Sequence, residues 1–364
     1  MSTVLTVFGG YPGTPVTGAA RMAWRTTQAL ARRGHRTAFL TDCGRPPGLD
    51  SGSGPVFTSP GELASTAWAH PDLVHVYDFA SPHYAETGRE LARRSGARLA
   101  VTPASAPETW PDPGLVRAIG SQARTFFVLT GTEALALRSI GAPADRVARI
   151  PQAPDLVGPG AGDRFRAEHG VGGPLVLFLG RHVPAKGYAL LLDAAPTVWE
   201  RLPETVFAFG GPSGGPATDR PFHRYRDEGR VLRLGMVADT VKHDALAACD
   251  LLCLPSSADV FPLVFAEAWS CGRPVVSGRF AGVGEVVRDG VDGLLVDHTP
   301  HSVAAGVLRL LTDAPLRAAL GRAGYRRARD ELGWDQVAAA VERGCALSPP
   351  PSPRRRAVRA GEAS

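Results

Sequence analysis

Short apolar runs alternate with amphipathic stretches along almost the whole chain, the pattern of parallel strands covered by helices. In the first half Val4–Phe8 reads as a buried strand, followed by a Gly/Pro-rich loop from Gly9 to Gly18. A helix is expected from Ala19 to Arg33, closed by Gly34. Strands continue at His35–Thr41, Leu73–Tyr77, Arg98–Thr102, Thr125–Thr130 and Arg146–Ile150, with helices at Tyr84–Arg94 and Thr132–Ser139. Pro151 to Gly173 is rich in Pro and Gly and reads as a linker.

The same rhythm restarts beyond it. Leu175–Leu179 is a continuous apolar strand, Lys186–Glu200 a helix, and Thr205–Gly210 a strand ending in Gly-Gly-Pro. Further strands are expected at Val231–Leu234, Asp250–Leu254, Pro274–Ser277 and Gly293–Val296. Helices are expected at Asp239–Ala248, Leu263–Ser270 and His301–Leu311. Residues 315–346 are helical and amphipathic, and 347–364 form a low-complexity basic tail that reads as disordered. The fold class is therefore α/β: two doubly wound domains, 1–155 and 156–314, facing a central cleft. Ligands of such sheets bind beyond the carboxyl ends of the strands, so the cleft is the default site.

Composition narrows the function by exclusion. Arg354, Arg355, Arg356 and Arg359 against Glu362 account for three of the five net positive charges, so the folded body is not basic enough to suggest nucleic-acid binding. Five cysteines (Cys43, Cys249, Cys253, Cys271 and Cys345) are odd in number and set among apolar neighbours, as expected of core thiols in a reducing compartment. The chain opens on a strand-like run without a basic leader, and no apolar stretch reaches the ~18 residues of a membrane span. A cytoplasmic protein with no transmembrane segment is expected. Helix one carries Arg21, Arg25, Arg32 and Arg33 with Met22 and Trp24. That pattern fits packing on the sheet better than contact with a membrane surface.

Candidate chemistry concentrates between Leu251 and Asp297. Asp259 and Glu267 stand eight positions apart across an apolar run, and a buried carboxylate is costly unless it has a partner. Glu267 lies in a helix beginning near Leu263, whose free N–H groups suit an anion while the carboxylate suits paired ribose hydroxyls. The plainer reading of Glu267 is a first-turn residue favoured by the helix dipole, and of Asp259 a cap or turn residue. Upstream, Gly180 permits a sharp turn, and Arg181 and Lys186 can aim two cations into the cleft mouth, where they would neutralise a leaving diphosphate. Alone they could equally be surface cations beside a helix. Gly282, Gly284 and Glu285 form a second Gly-bearing helix start.

In order and spacing, GRHVPAKG, the FGGP turn at 209–212, RLGMV at 233–237, DLLCLPSS at 250–257, ADVFPLVFAEAWSCGRPVV, AGVGEVV and DGVDGLLV resemble the retaining glycosyltransferases of the GT-B fold, family 4. The likeness spans about 120 residues from Gly180 to Asp297 and continues more weakly into the first half. It implies two Rossmann-like domains. It assigns Arg181 and Lys186 to the donor diphosphate, Glu267 to the ribose, and Asp259 with the backbone of Phe261, Pro262, Leu263 and Val264 to the transferred sugar and phosphate. Gly18 and Ala19 would approach the diphosphate or the acceptor, and Met236 and Val237 the base. His75, Tyr77 and Asp78 are candidate acceptor residues, although His75 also fits a core position. Residues 315–346 would fold back on the first domain.

The resemblance implies a hexose-type sugar moved from UDP or GDP to an acceptor hydroxyl. It leaves the acceptor open, and a small soluble or natural-product molecule is slightly preferred here because helix one reads as packing on the sheet. Neither cofactor nor metal is expected, in keeping with the lack of a D-x-D triplet. Three positions depart from the family pattern: Asp259 where a Glu is usual, Gly18-Ala19 for Gly-Gly, and Thr102-Pro103-Ala104 where a T-x-H histidine is common. A non-catalytic sugar-nucleotide-binding protein and an NDP-sugar epimerase are the alternatives.

Overall fold

The computed structural model describes residues 1–9, 17–42, 51–110, 113–156 and 158–347. Most of the Gly9–Gly18 loop, Cys43 and the basic tail lie outside the described residues. The first sheet contains β1 (Thr3–Val7), β2 (Arg36–Leu40), β3 (Val56–Phe57), β4 (Leu73–Tyr77), β5 (Arg98–Thr102), β6 (Ala123–Val128) and β7 (Val147–Arg149). The second contains β8 (Leu175–Leu179), β9 (Val206–Gly210), β10 (Val231–Gly235), β11 (Leu251–Leu254), β12 (Val275–Gly278) and β13 (Gly293–Val296). Their orders are 3-2-1-4-5-6-7 and 10-9-8-11-12-13, and every pairing is parallel. The central strands are buried on both faces, which is why they read as unbroken apolar runs rather than alternating ones. These are the two Rossmann-like domains of a GT-B architecture.

The order locates the site. In each sheet the strand order reverses once, between β1 and β4 in the first and between β8 and β11 in the second. A crevice opens beyond the carboxyl ends of strands at such a switch point. The segments leaving β1, β4, β8 and β11 carry Thr17–Ala19, Asp78, Gly180–Lys186 and Ala258–Val264.

Two segments differ from expectation. The stretch read as a linker is not a featureless tether: it contains the helix Gly162–Glu168 and buries Gln152 and Asp155 between the domains. Residues 315–346 divide into two helices with different partners. Ala314–Glu331 packs on Leu263–Ser270 in the second domain, whereas Trp334–Cys345 lies on the first helix, Gly18–Arg32, and on β6. A short loop separates them, and the return is pinned by Glu342, which accepts from Arg33 at 2.8 and 2.7 Å and lies 3.0 Å from His35 Nε2. Arg327 fixes the other helix by donating to Val286 O at 2.7 Å and to Asp292 at 3.0 Å, with its guanidinium over the Trp269 ring.

Candidate active site

A cleft of about 390 Å³ lies between the two switch points. Its walls include Gly18, Ala19 and Asp78 from the first domain and Gly180, Arg181, Lys186, Met236, Val237, Asp259, Phe261, Pro262, Leu263, Val264 and Glu267 from the second. Residues separated by more than 240 positions in sequence thus meet in one space, as parallel α/β connectivity dictates.

Lys186 ends a single 3-10 turn, Pro184–Lys186. Gly187 follows in the left-handed region, with φ 73°, and a Cβ there would stand 2.2 Å from Pro255 O. Only glycine satisfies both demands, so the turn is pressed against the end of β11 and the Lys186 ammonium meets Asp259 in an ion pair. Arg181 sits exposed on the adjoining loop. The chain can double back there because Gly211, at φ 134°, lies where a Cβ would come within 2.0 Å of Gly180 O. The long Lys186–Glu200 helix expected from the sequence begins later, at Tyr188.

Glu267 is fully buried within Leu263–Ser270. Its Oε1 accepts from Lys242 Nζ at 2.6 Å, and Oε2 has no hydrogen-bond partner among the described residues. Lys242 also donates to Asp155 O at 2.9 Å and lies 3.9 Å from Asp239. Asp155 accepts in turn from Arg21 at 2.6 Å and Arg25 at 2.5 Å, and Arg21 reaches Asp239 at 2.8 Å. Burial opposes the charge on Asp155, but Lys242, Arg25 and Arg21 outweigh it and hold the carboxyl below its ordinary range. Burial likewise works against Arg21, whose pairs with Asp239 and Asp155 more than compensate and raise its pKa. Both shifts favour the charged forms of Asp155 and Arg21, and the network joins helix one, the interdomain segment and the floor of the cleft.

A second tie crosses at the cleft's edge. Glu285 accepts from the N–H groups of Gly131 at 2.8 Å and Thr132 at 3.1 Å, and pairs with Arg149 at 2.9 Å. A carboxylate of the second domain thereby caps the first-domain helix Gly131–Ser139. Beside it, Gln152 donates to Phe261 O at 3.1 Å.

Two expected acceptor residues are not at the cleft. His75 and Tyr77 are 1% and 0% exposed and stack on each other in the first-domain core. His75 Nε2 lies 2.8 Å from Thr102 Oγ1, and burial pushes the imidazole down to about 3. β4 is covered on both faces, so both sets of its side chains go into packing, and His75 takes the core position its strand pattern also allowed. Asp78, just past the strand, does line the cleft, in the left-handed conformation at φ 69°. Ala104, where a T-x-H histidine was sought, lines it too, at φ 51°. Among the described residues, no atom from elsewhere in the fold lies within 4 Å of where a Cβ on Gly18 would stand.

Sequence reasoning missed Lys242, Asp155, Arg21 and the part played by Glu285. Lys242 had a signal: with Lys186 it is one of only two lysines in an arginine-rich chain. Among the described residues no group of three or more His, Cys, Asp or Glu could hold a metal ion, and no helix is long and apolar enough to cross a membrane.

Residues 173–313 match the family model for glycosyl transferases group 1. The chain is 34% identical over 304 residues to D-inositol 3-phosphate glycosyltransferase of Xylanimonas cellulosilytica, covering 77% of this chain and 67% of that one. It is 33% identical over 275 residues to the GDP-mannose-dependent alpha-(1-6)-phosphatidylinositol monomannoside mannosyltransferase of Mycolicibacterium smegmatis, covering 67% and 69%. The chain thus spans about two thirds of the length of these relatives. Its fold is similar to that of Anabaena HepE, solved with UDP and glucose, at a TM-score of 0.79 and 20% identity over 96% of this chain and 100% of the other. It is also similar to the sucrose-phosphate synthase of Thermosynechococcus elongatus, at a TM-score of 0.75 and 18% identity over 94% and 98%.

Proposed function

The chain belongs to the glycosyl transferases group 1 family and is a glycosyltransferase; on that premise we propose that it moves a hexose-type sugar from a nucleoside diphosphate to an acceptor hydroxyl, with retention at the anomeric carbon. The observation that carries this reading is the convergence of Arg181, Lys186, Asp259 and the half-satisfied Glu267 at the carboxyl ends of β8 and β11. Residues 156–314 hold the donor in this reading, and residues 1–155 present the acceptor.

The anomeric C1–O bond to the diphosphate breaks, and its electron pair leaves with the phosphate oxygen. The acceptor oxygen bonds to C1 from the same face, and its proton passes to the departing phosphate. Arg181 and Lys186 stabilise the growing negative charge, which gives these cations the task a divalent ion performs elsewhere. The Leu263 and Val264 N–H groups at the helix start add fixed dipoles for the same phosphates. Glu267 Oε2 accepts from a ribose hydroxyl, and Asp259, held by Lys186, faces hydroxyls of the transferred sugar. Apposition of the domains excludes water and limits donor hydrolysis.

UDP and GDP are both candidate carriers, given the UDP in HepE and the GDP-mannose dependence of the mycobacterial relative. The D-inositol 3-phosphate named for several curated relatives supports a small polyol acceptor of the cyclitol class. The test is incubation with labelled UDP- and GDP-sugars and a panel of cyclitols, their phosphates and lipid acceptors. Free nucleoside diphosphate together with an α-configured glycoside supports the proposal, whereas an inverted product or an isomerised donor overturns it.

A further inference from the structure

Asp250 precedes β11 and Pro274 precedes β12, so both mark the amino edge of the second sheet, the edge opposite Asp259 and Lys186. The four residues of β11 alone put roughly 13 Å between the two edges. On this far side, the helix Ala314–Glu331 and the Gly272–Pro274 turn enclose a groove of about 600 Å³. Four guanidinium groups line it, from Arg273, Arg317, Arg322 and Arg326, and Asp250 is the one acid among its walls.

That acid is already engaged. Asp250 accepts from Leu175 N at 2.8 Å and from Arg166 at 3.1 Å, and lies 3.8 Å from Arg317. Two of the guanidiniums are anchored on backbone: Arg273 donates to Ala247 O, and Arg317 to Leu310 O at 2.8 Å and Leu311 O at 3.2 Å. Each has five N–H groups, so donors remain uncommitted on both. Arg322 and Arg326 are exposed, one helical turn apart, and make no hydrogen bond or ion pair among the described residues. Like charges at that spacing repel, a cost that an anion placed between them removes. Tyr325, 47% exposed, adds a ring at the same wall.

We propose that this groove is a second anion-binding site, separate from the transfer cleft, which takes the phosphoryl group of a soluble phosphate ester or oligophosphate. Planar guanidinium forks match phosphate oxygens in pairs, and four of them around one concavity offer more charge than a single carboxylate neutralises. The volume suits a small phosphorylated molecule, and its concave shape suits one better than a bilayer surface.

Calorimetric titration of the full chain with inorganic pyrophosphate tests this, run in parallel on Arg181→Ala and on the double variant Arg322→Ala/Arg326→Ala. The expected result is a binding event that survives Arg181→Ala and weakens about tenfold or more in the double variant, while donor turnover by the double variant stays at the wild-type rate. A second variant, Arg322→Glu, should abolish the same event. Pyrophosphate binding that disappears with Arg181→Ala and ignores both groove variants overturns the proposal. So does sedimentation with phosphatidylglycerol vesicles that depends on Arg322 and Arg326 when pyrophosphate itself fails to bind, since the headgroup of a lipid would then be the source of the phosphate.

Discussion

Lys242 Nζ stands 2.6 Å from Glu267 Oε1, while the other oxygen of that carboxylate is buried at the cleft without a hydrogen-bond partner among the described residues. One oxygen of Glu267 is engaged by the protein, and in the proposed reading the other accepts from the donor's ribose. Removing the cation strands a buried charge, whereas Glu267→Gln keeps the shape and loses the charge. Lys242→Ala should therefore cost about 3 kcal/mol or more in unfolding free energy. Glu267→Gln should cost less and instead raise the donor KM by about tenfold. Urea denaturation and steady-state kinetics on the two variants measure the contrast; equal destabilisation with unchanged donor KM would show the pair to be structural only.

Glu285 reaches across the domain boundary to cap Gly131–Ser139. Its loss should leave each domain folded while weakening their apposition over the cleft. Glu285→Ala is expected to lower transfer by about tenfold and to raise the ratio of donor hydrolysis to transfer. Product analysis by chromatography reads that ratio, and an unchanged ratio counts against Glu285 as a tie between the domains.

Burial raises the Glu133 carboxyl to about 8 from an ordinary 4.5, against a hydrogen bond from Leu129 N at 2.8 Å. Between those values the folded chain holds a proton that the unfolded chain has released, so this group makes stability fall as pH rises from about 4.5 to about 8. Glu133→Gln should remove that contribution, gaining on the wild type steadily across the window. Parallel denaturation curves at pH 5 and pH 8 test it, and a constant difference between the two proteins refutes it.

Much of this was legible in the sequence because it depends on local pattern. β4, β5, β8, β13 and the helices Asp239–Ala248 and Leu263–Ser270 fall where apolar periodicity puts them. Arg181, Lys186, Asp259 and Glu267 stand out by their spacing around those elements, and their expected roles come from the family resemblance. What stayed hidden depends on pairing across long separations. Asp155 reads as part of a linker until Arg21 and Arg25 close on it from 130 or more positions away. The enclosure of His75 and Tyr77 is hard to read from sequence, because a fully covered strand shows no polar face to mark which residues are enclosed. The helix Ala314–Glu331 shows its amphipathic period plainly, yet only the folded chain reveals that its partner is Leu263–Ser270 and that its arginines face a groove.

Arg181→Ala tests the central claim most directly. Its side chain is exposed, so folding should survive, and turnover of labelled donor onto acceptor isolates the chemistry. The account predicts that kcat falls by about two to three orders of magnitude, the scale of a lost transition-state charge contact. Near-normal turnover in a folded Arg181→Ala protein would contradict it.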